Sequence, residues 1–213
     1  MSANFADKIK ILVETAESPL VVGVTGHRNL VKDDYSVIFD EIKRNFEEIL
    51  TLHKAKRLTV DIPSVLLFTG LAQGADMLAA KVAHQLHIPY VAVLPCELDE
   101  FKTSFDDVDA LNELDDYIEN AYAVVVADDI EKNFENQTGQ TADNYRYRQV
   151  GIHIVQRSSI LLALWDGKPP KSRYGCGTAD VVKIAKERNL PILWITCRRI
   201  GDGSTQNVTT RYL

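Results

Sequence analysis

The chain has 213 residues, 46% of them hydrophobic, which suits one domain of generous size with a sizeable core. No run approaches the roughly 18 consecutive apolar residues of a membrane span, so no membrane segment is expected. The net charge of −6 is unevenly placed: residues 97–119 hold ten acids and the single base Lys102, a local −9, and the rest of the chain sums to +3. An anionic ligand is therefore compatible with the chain, whereas nucleic acid is not expected as a partner, because there is no dense basic patch. Cys96, Cys176 and Cys197 have neither metal-ligand spacing nor a CxxC pair, and the N-terminus lacks a basic-then-apolar leader. Reduced thiols in a cytoplasmic protein are expected, with no metal and no cofactor.

In chain order, Phe5, Ile9, Leu12 and Val13 share one helical face and predict a short amphipathic helix. Pro19–Thr25 is apolar almost throughout and reads as a strand covered on both faces. The turn Gly26-His27-Arg28-Asn29 follows, then a long helix from about Asp33 to His53, with Asp33 or Asp34 able to cap it. A second strand, Ser64–Thr69, runs through Gly70–Asp76 into a helix ending near Leu86. The third strand, Tyr90–Leu94, is stopped by Pro95. The acidic segment at about 97–120 holds a helix from Val108 to Asn120, and Tyr122–Val126 is the fourth strand. Residues 128–140 read as a polar loop, Ala142–Arg157 as a helix and Ile160–Trp165 as the fifth strand. The loop 166–177, a helix from Thr178 to about Arg188, a sixth strand at Pro191–Thr196 and a loose C-terminal tail complete the chain.

Six short apolar strands alternating with helices predict an α/β fold. It is doubly wound, with a mostly parallel, Rossmann-like sheet of about six strands in a single domain over residues 1–213. Ligands of such sheets bind outside the carboxyl ends of the strands, and the turns after strands one, two and five all lie at that edge.

Those turns carry the candidate chemistry. Gly26 lets backbone approach a ligand, and Arg28 beside it can hold a phosphate in two places or reach a protein carboxylate instead. The spacing is not GxGxxG, so no dinucleotide fingerprint is met. Gly70 and Gly74 bracket the start of a helix whose dipole favours an anion; Asp76 either serves a ligand or stabilises that helix. Asp166 follows the fifth strand, and Gly175-Cys176-Gly177-Thr178-Ala179-Asp180 opens a helix with two glycines and a hydroxyl. Lys168, Lys171 and Arg173 either screen a negative ligand or are simply solvated. His27 is the one histidine in a candidate turn, and a helix N-terminus can lower the pKa of Cys176. Tyr145–Arg148 is a basic–aromatic cluster that either stacks on a base or forms a helix-surface salt-bridge face.

Together VTGHR (24–28), TGLAQGADMLAA (69–80), AVLP (92–95), LLALWDGK (161–168) and GCGTADVVKIA (175–185) resemble the SLOG superfamily, in particular bacterial members with GHR, GLAxGAD and WDG…GGTAD segments. This is the Rossmann-like group that includes the LONELY GUY phosphoribohydrolases and the DNA-processing protein DprA. The resemblance spans about residues 20–195 and implies recognition of a nucleotide-like small molecule, as a sensor in signalling or defence. It also implies a homo-oligomer, since related enzymes pair through helices. The expected ligand-binding residues are Gly26, His27, Arg28, Gly70, Gly74, Asp76, Asp166, Gly175, Gly177 and Thr178. The alternative is an N-glycosidic hydrolase of nucleoside monophosphates, with Asp180 or Asp76 as the catalytic carboxylate and Arg148 assisting. The hydrolase branch carries PGGxGTxxE; here Val181 stands at the glutamate position, Asp180 falls one residue early, and Cys176 replaces the second glycine. Binding without turnover is the expectation.

Overall fold

The structure is a computed structural model that describes residues 11, 13, 19–53, 63–127, 141–169, 175–201, 203 and 205–213. The apolar runs form strands β1 (Leu20–Gly26), β2 (Val65–Thr69), β3 (Tyr90–Leu94), β4 (Ala123–Val126), β5 (Ile160–Trp165) and β6 (Ile192–Thr196), followed by a short β7 (Thr210–Tyr212). The helices are α1 (Tyr35–His53), α2 (Ala75–Gln85), α3 (Leu98–Lys102), α4 (Val108–Glu119), α5 (Ala142–Arg157) and α6 (Thr178–Glu187). The seven strands form one sheet in the order β4-β3-β2-β1-β5-β6-β7. All neighbours pair in parallel except β7, which runs antiparallel to β6. The expected doubly wound, Rossmann-like fold is thus observed, with seven strands in place of about six.

Alternate residues of each central strand feed two separate cores, as the two-residue period of a strand requires. Ile160, Leu162 and Leu164 of β5 join Ile38, Ile42 and Phe46 of α1 and Ala79 and Val82 of α2. Leu161, Ala163 and Trp165 instead pack with Ile154 of α5 and Val182 and Ala185 of α6. A third cluster joins Phe101, Phe105 and Leu114 from the acidic segment to Leu71, Met77 and Leu94. The chain winds outward from β1 through β2, β3 and β4, then returns to the other side of β1 as β5. The carboxyl ends of β1 and β5 therefore flank the point where winding reverses, which is where such sheets open a crevice.

Three local expectations are corrected. The C-terminal tail is not loose: Thr210–Tyr212 closes the edge of β6, and the Thr210 hydroxyl donates to Glu41 Oε2 at 2.6 Å while accepting from Asn45 Nδ2 at 3.0 Å. Asp34 does not cap α1. It sits in a single 3-10 turn, Lys32–Asp34, and accepts two bonds from Arg198, at 2.8 Å to Oδ2 and 2.5 Å to Oδ1. The acidic segment holds two helices, because Phe101 and Phe105 anchor an extra turn, α3, beneath the sheet edge. Of the proposed N-terminal helical face only Val13 lies within the described residues, and it is fully buried.

Candidate functional site

The turns after β1, β2 and β5 and the start of α6 converge on one crevice of about 670 Å³ at the carboxyl edge of the sheet. This is within the usual range for a small-molecule site. Backbone bonds hold the turns together. The His27 N–H donates to the Leu164 carbonyl of β5, and the Ala75 N–H of α2 donates to the His27 carbonyl, both at 3.2 Å. Gly74 makes that approach possible: its φ is +91°, and a Cβ there would run into the carbonyls of His27 and Arg28. In the β2 turn Leu71, with φ +49°, is fixed by its N–H donating to Thr69 Oγ1 at 3.2 Å. The opposite wall is one face of α5. Asn144, Tyr147, Val150, Gly151 and Ile154 recur at helical spacing, so they line the crevice together.

Gly26, His27, Arg28, Gly70, Asp76, Asp166, Gly175, Gly177, Thr178 and Asp180 all line this space. Gly74 does not; it packs beneath the β1 turn. Arg148, one residue round the helix from Tyr147, is also absent from the lining. Lys168 lines the crevice, whereas Lys171 and Arg173 lie outside the described residues.

His27 ties three elements together. Its Nε2 is 3.1 Å from Asp166 Oδ1 and 3.2 Å from the Asp166 backbone nitrogen, and its Nδ1 is 3.3 Å from Thr178 Oγ1. Burial pushes the Asp166 carboxyl up, but the Lys168 N–H, His27 and Arg199 together outweigh it and hold the group below the usual range. Arg199 Nη1 is 3.5 Å from Asp166 Oδ2. Asp180 turns back to its own helix and accepts from the Gly177 N–H at 3.1 Å. Val181, 5% exposed, packs against Gly151 so closely that a methyl on that glycine would collide with it.

Asp76 Oδ1, like Asp166 Oδ2, is sealed from solvent with no hydrogen-bond partner among the described residues; Asp76 differs in having no ion-pair partner among them. Burial pushes its carboxyl up to about 7, against the opposing pull of the Ala72 N–H, the Arg28 charge and the Gly70 N–H. The Cys176 thiol is also pushed up, by burial and then by Asp180. This corrects the expectation of a lowered value: burial, with Asp180 adding to it, outweighs the helix terminus.

Arg28 is exposed at the crevice mouth. Its guanidinium donates to Ser104 Oγ at 3.3 Å and lies over the rings of Phe105, at 5.6 Å, and Tyr147, at 5.9 Å. Among the described residues no carboxylate lies within ion-pair distance of it. Arg146, next to Tyr147, is ion-paired with Glu100. The salt-bridge reading of the Tyr145–Arg148 cluster therefore fits Arg146, while Tyr147 faces the crevice. Ser104 and Phe105 were invisible as site residues, because the acidic segment that supplies them has no turn motif; the i, i+4 pair Phe101/Phe105 is the trace that marks them as anchored. Arg199, Asn144 and Asn29 also line the crevice without a motif of their own.

Fold and site together define a doubly wound α/β protein with a ligand-sized crevice at the topological switch point. No family model matches the chain, and no curated protein matches it. Among solved structures, the chain resembles DNA processing protein A (DprA) of Streptococcus pneumoniae at 19% identity and a TM-score of 0.54, over 90% of this chain and 60% of that one. It also resembles DprA of Helicobacter pylori at 16% identity and a TM-score of 0.51, over 90% of this chain and 70% of that one. The fold is thus DprA-like, as the SLOG resemblance implied, and the chain spans three-fifths of the pneumococcal protein's length.

The Helicobacter pylori protein binds single-stranded DNA. The expectation that nucleic acid is no partner for this chain is therefore withdrawn. It rested on the absence of a dense basic patch, yet a fold of this kind serves a DNA binder, and the excess of acids is confined to one segment. No helix among the described residues is long and apolar enough to cross a membrane.

Proposed function

We propose that the crevice binds a nucleotide, with its phosphate on Arg28 and the β1 turn and its base against the apolar face of α5. The observation that carries this is Arg28 itself: a cation at the mouth of the crevice that pairs with no carboxylate among the described residues and is backed by two aromatic rings. A guanidinium held this way offers its fork to a phosphate at little ordering cost. The wall formed by Val150, Gly151, Ile154 and Val181 offers an apolar surface to a planar base.

This reading favours a binding module, a nucleotide sensor, over a hydrolase. Asp180 is engaged by the Gly177 N–H, and Val181 fills the position where the related hydrolases carry glutamate. A second reading, a nucleotide unit of a single DNA strand, is favoured by the exposed Arg28 beside the half-buried Tyr147 ring, since an arginine next to an aromatic ring suits single strands. Calorimetric titration of the chain with AMP, GMP, ADP and an oligo(dT) tests both. Saturable one-to-one binding of a mononucleotide supports the first reading. Binding of the oligonucleotide alone, with steep salt dependence, replaces it with the second. No binding by any probe overturns both.

A further inference from the structure

The crevice holds three aspartates, each with different partners. Asp180 accepts from the Gly177 N–H, and Asp166 is engaged by the Lys168 N–H, His27 and Arg199. Asp76 Oδ1 is sealed with neither a hydrogen bond nor an ion-pair partner among the described residues, whereas Asp166 Oδ2, which also lacks a hydrogen bond, faces Arg199 at 3.5 Å. A buried acceptor without a donor is costly, and a ligand that supplies the donor recovers that cost on binding. We propose that Asp76 accepts a hydroxyl of the ligand's sugar, so that the crevice selects ribonucleotides over their deoxy analogues. The inference rests on the nucleotide reading above and adds the sugar to it.

Three features place a sugar hydroxyl at Asp76. The first is space. A Cβ on Gly70 would stand 2.9 Å from Asp76 Oδ2 and 3.3 Å from Val150 Cγ1, and all three residues line the crevice. The bare glycine thus keeps open a gap bounded by the carboxyl on one side and the apolar wall on the other.

The second is the neighbourhood. Asp76 feels the charge of Arg28, where the phosphate is assigned, and borders the wall where the base is assigned. In a nucleotide the sugar lies between phosphate and base, so its hydroxyls are the donors that reach such a position. The third is chemistry. Among the described residues no cation is ion-paired with the group, so a donor from the ligand meets a carboxyl with no competing ion pair.

The test compares AMP with 2′-deoxy-AMP and 2′,3′-dideoxy-AMP by calorimetry on the wild-type chain and on Asp76→Ala, Asp76→Asn and Gly70→Ala, with circular dichroism to verify each fold. The wild type is expected to bind AMP about 10–100-fold more tightly than the dideoxy form, the range of a hydrogen bond to a charged group. Asp76→Ala should bind the two equally, and Asp76→Asn should keep a few-fold preference. Gly70→Ala, which fills the gap and leaves the carboxyl in place, should lose the preference with the fold intact. Equal affinity of the wild type for all three nucleotides, or a full preference retained in Asp76→Ala, overturns the inference and leaves the nucleotide reading standing. No binding of any of the three overturns both.

Discussion

Replacing Asp76 with asparagine should stabilise the protein at alkaline pH, and the size follows from where the carboxyl sits. Burial moves it from its ordinary 3.8 up to about 7, against Arg28 and the N–H groups of Ala72 and Gly70. Below about pH 3.8 both folded and unfolded chains hold the proton, and the group has no effect. Between about 3.8 and 7 the unfolded chain releases its proton while the folded chain keeps it, so stability falls as pH rises. Above about 7 both have released it, and the loss is complete. At about 1.4 kcal/mol per pH unit the full loss is about 4 kcal/mol. Asparagine cannot ionise, so the variant should escape most of it and gain about 2–4 kcal/mol at pH 8. For a chain of this length that is about 5–15 °C in Tm. Urea unfolding followed by tryptophan fluorescence at pH 5, 6, 7 and 8 measures the difference, which should grow from pH 5 to 7 and level off by pH 8. Wild type and variant running parallel from pH 5 to 8, or a variant less stable at pH 8, would refute the burial argument.

Arg28→Ala should weaken nucleotide binding by about 1.5–3 kcal/mol, the scale of a charge-assisted contact, with the fold unchanged; equal affinities by calorimetry would count against the phosphate assignment. Gly74→Ala should lower stability by at least about 1–3 kcal/mol, because it combines a left-handed backbone with a collision against two carbonyls, and a Tm equal to wild type would contradict the packing described. Incubation with AMP or GMP should release no free base by chromatography, since Asp180 is turned to its own helix and Val181 has no charge. Robust release abolished by Asp180→Asn or Asp76→Asn would make the protein a glycosidic hydrolase.

The sheet was legible because its strands are nearly unbroken apolar runs, and three turns with glycines after such runs had to meet at one edge. β7 was not: Thr210–Tyr212 carries little apolar signal and is a strand only because β6 offers it an edge and Glu41 and Asn45 hold Thr210. Most residues assigned to the site line it, because they follow strands whose direction is fixed by the fold. Arg148, chosen as a basic residue near a motif for the hydrolase alternative, is absent from the lining. The helical face read from Val150, Gly151 and Ile154 selects Tyr147 instead. The contrast between Asp76 and Asp166 is a matter of burial and of charges from distant turns, Arg28 for the one and His27 and Arg199 for the other, which no local spacing reports.

The central claim is that the crevice at the β1–β5 switch point is the nucleotide site. Amide-resolved NMR of the isotopically labelled chain during titration with AMP tests it most directly. Saturable shifts concentrated at residues 26–29, 70–76, 166–168 and 175–180 and along the Asn144–Ile154 face of α5 are the predicted result. No shifts at saturating AMP, or shifts confined to the β6–β7 edge, would contradict it.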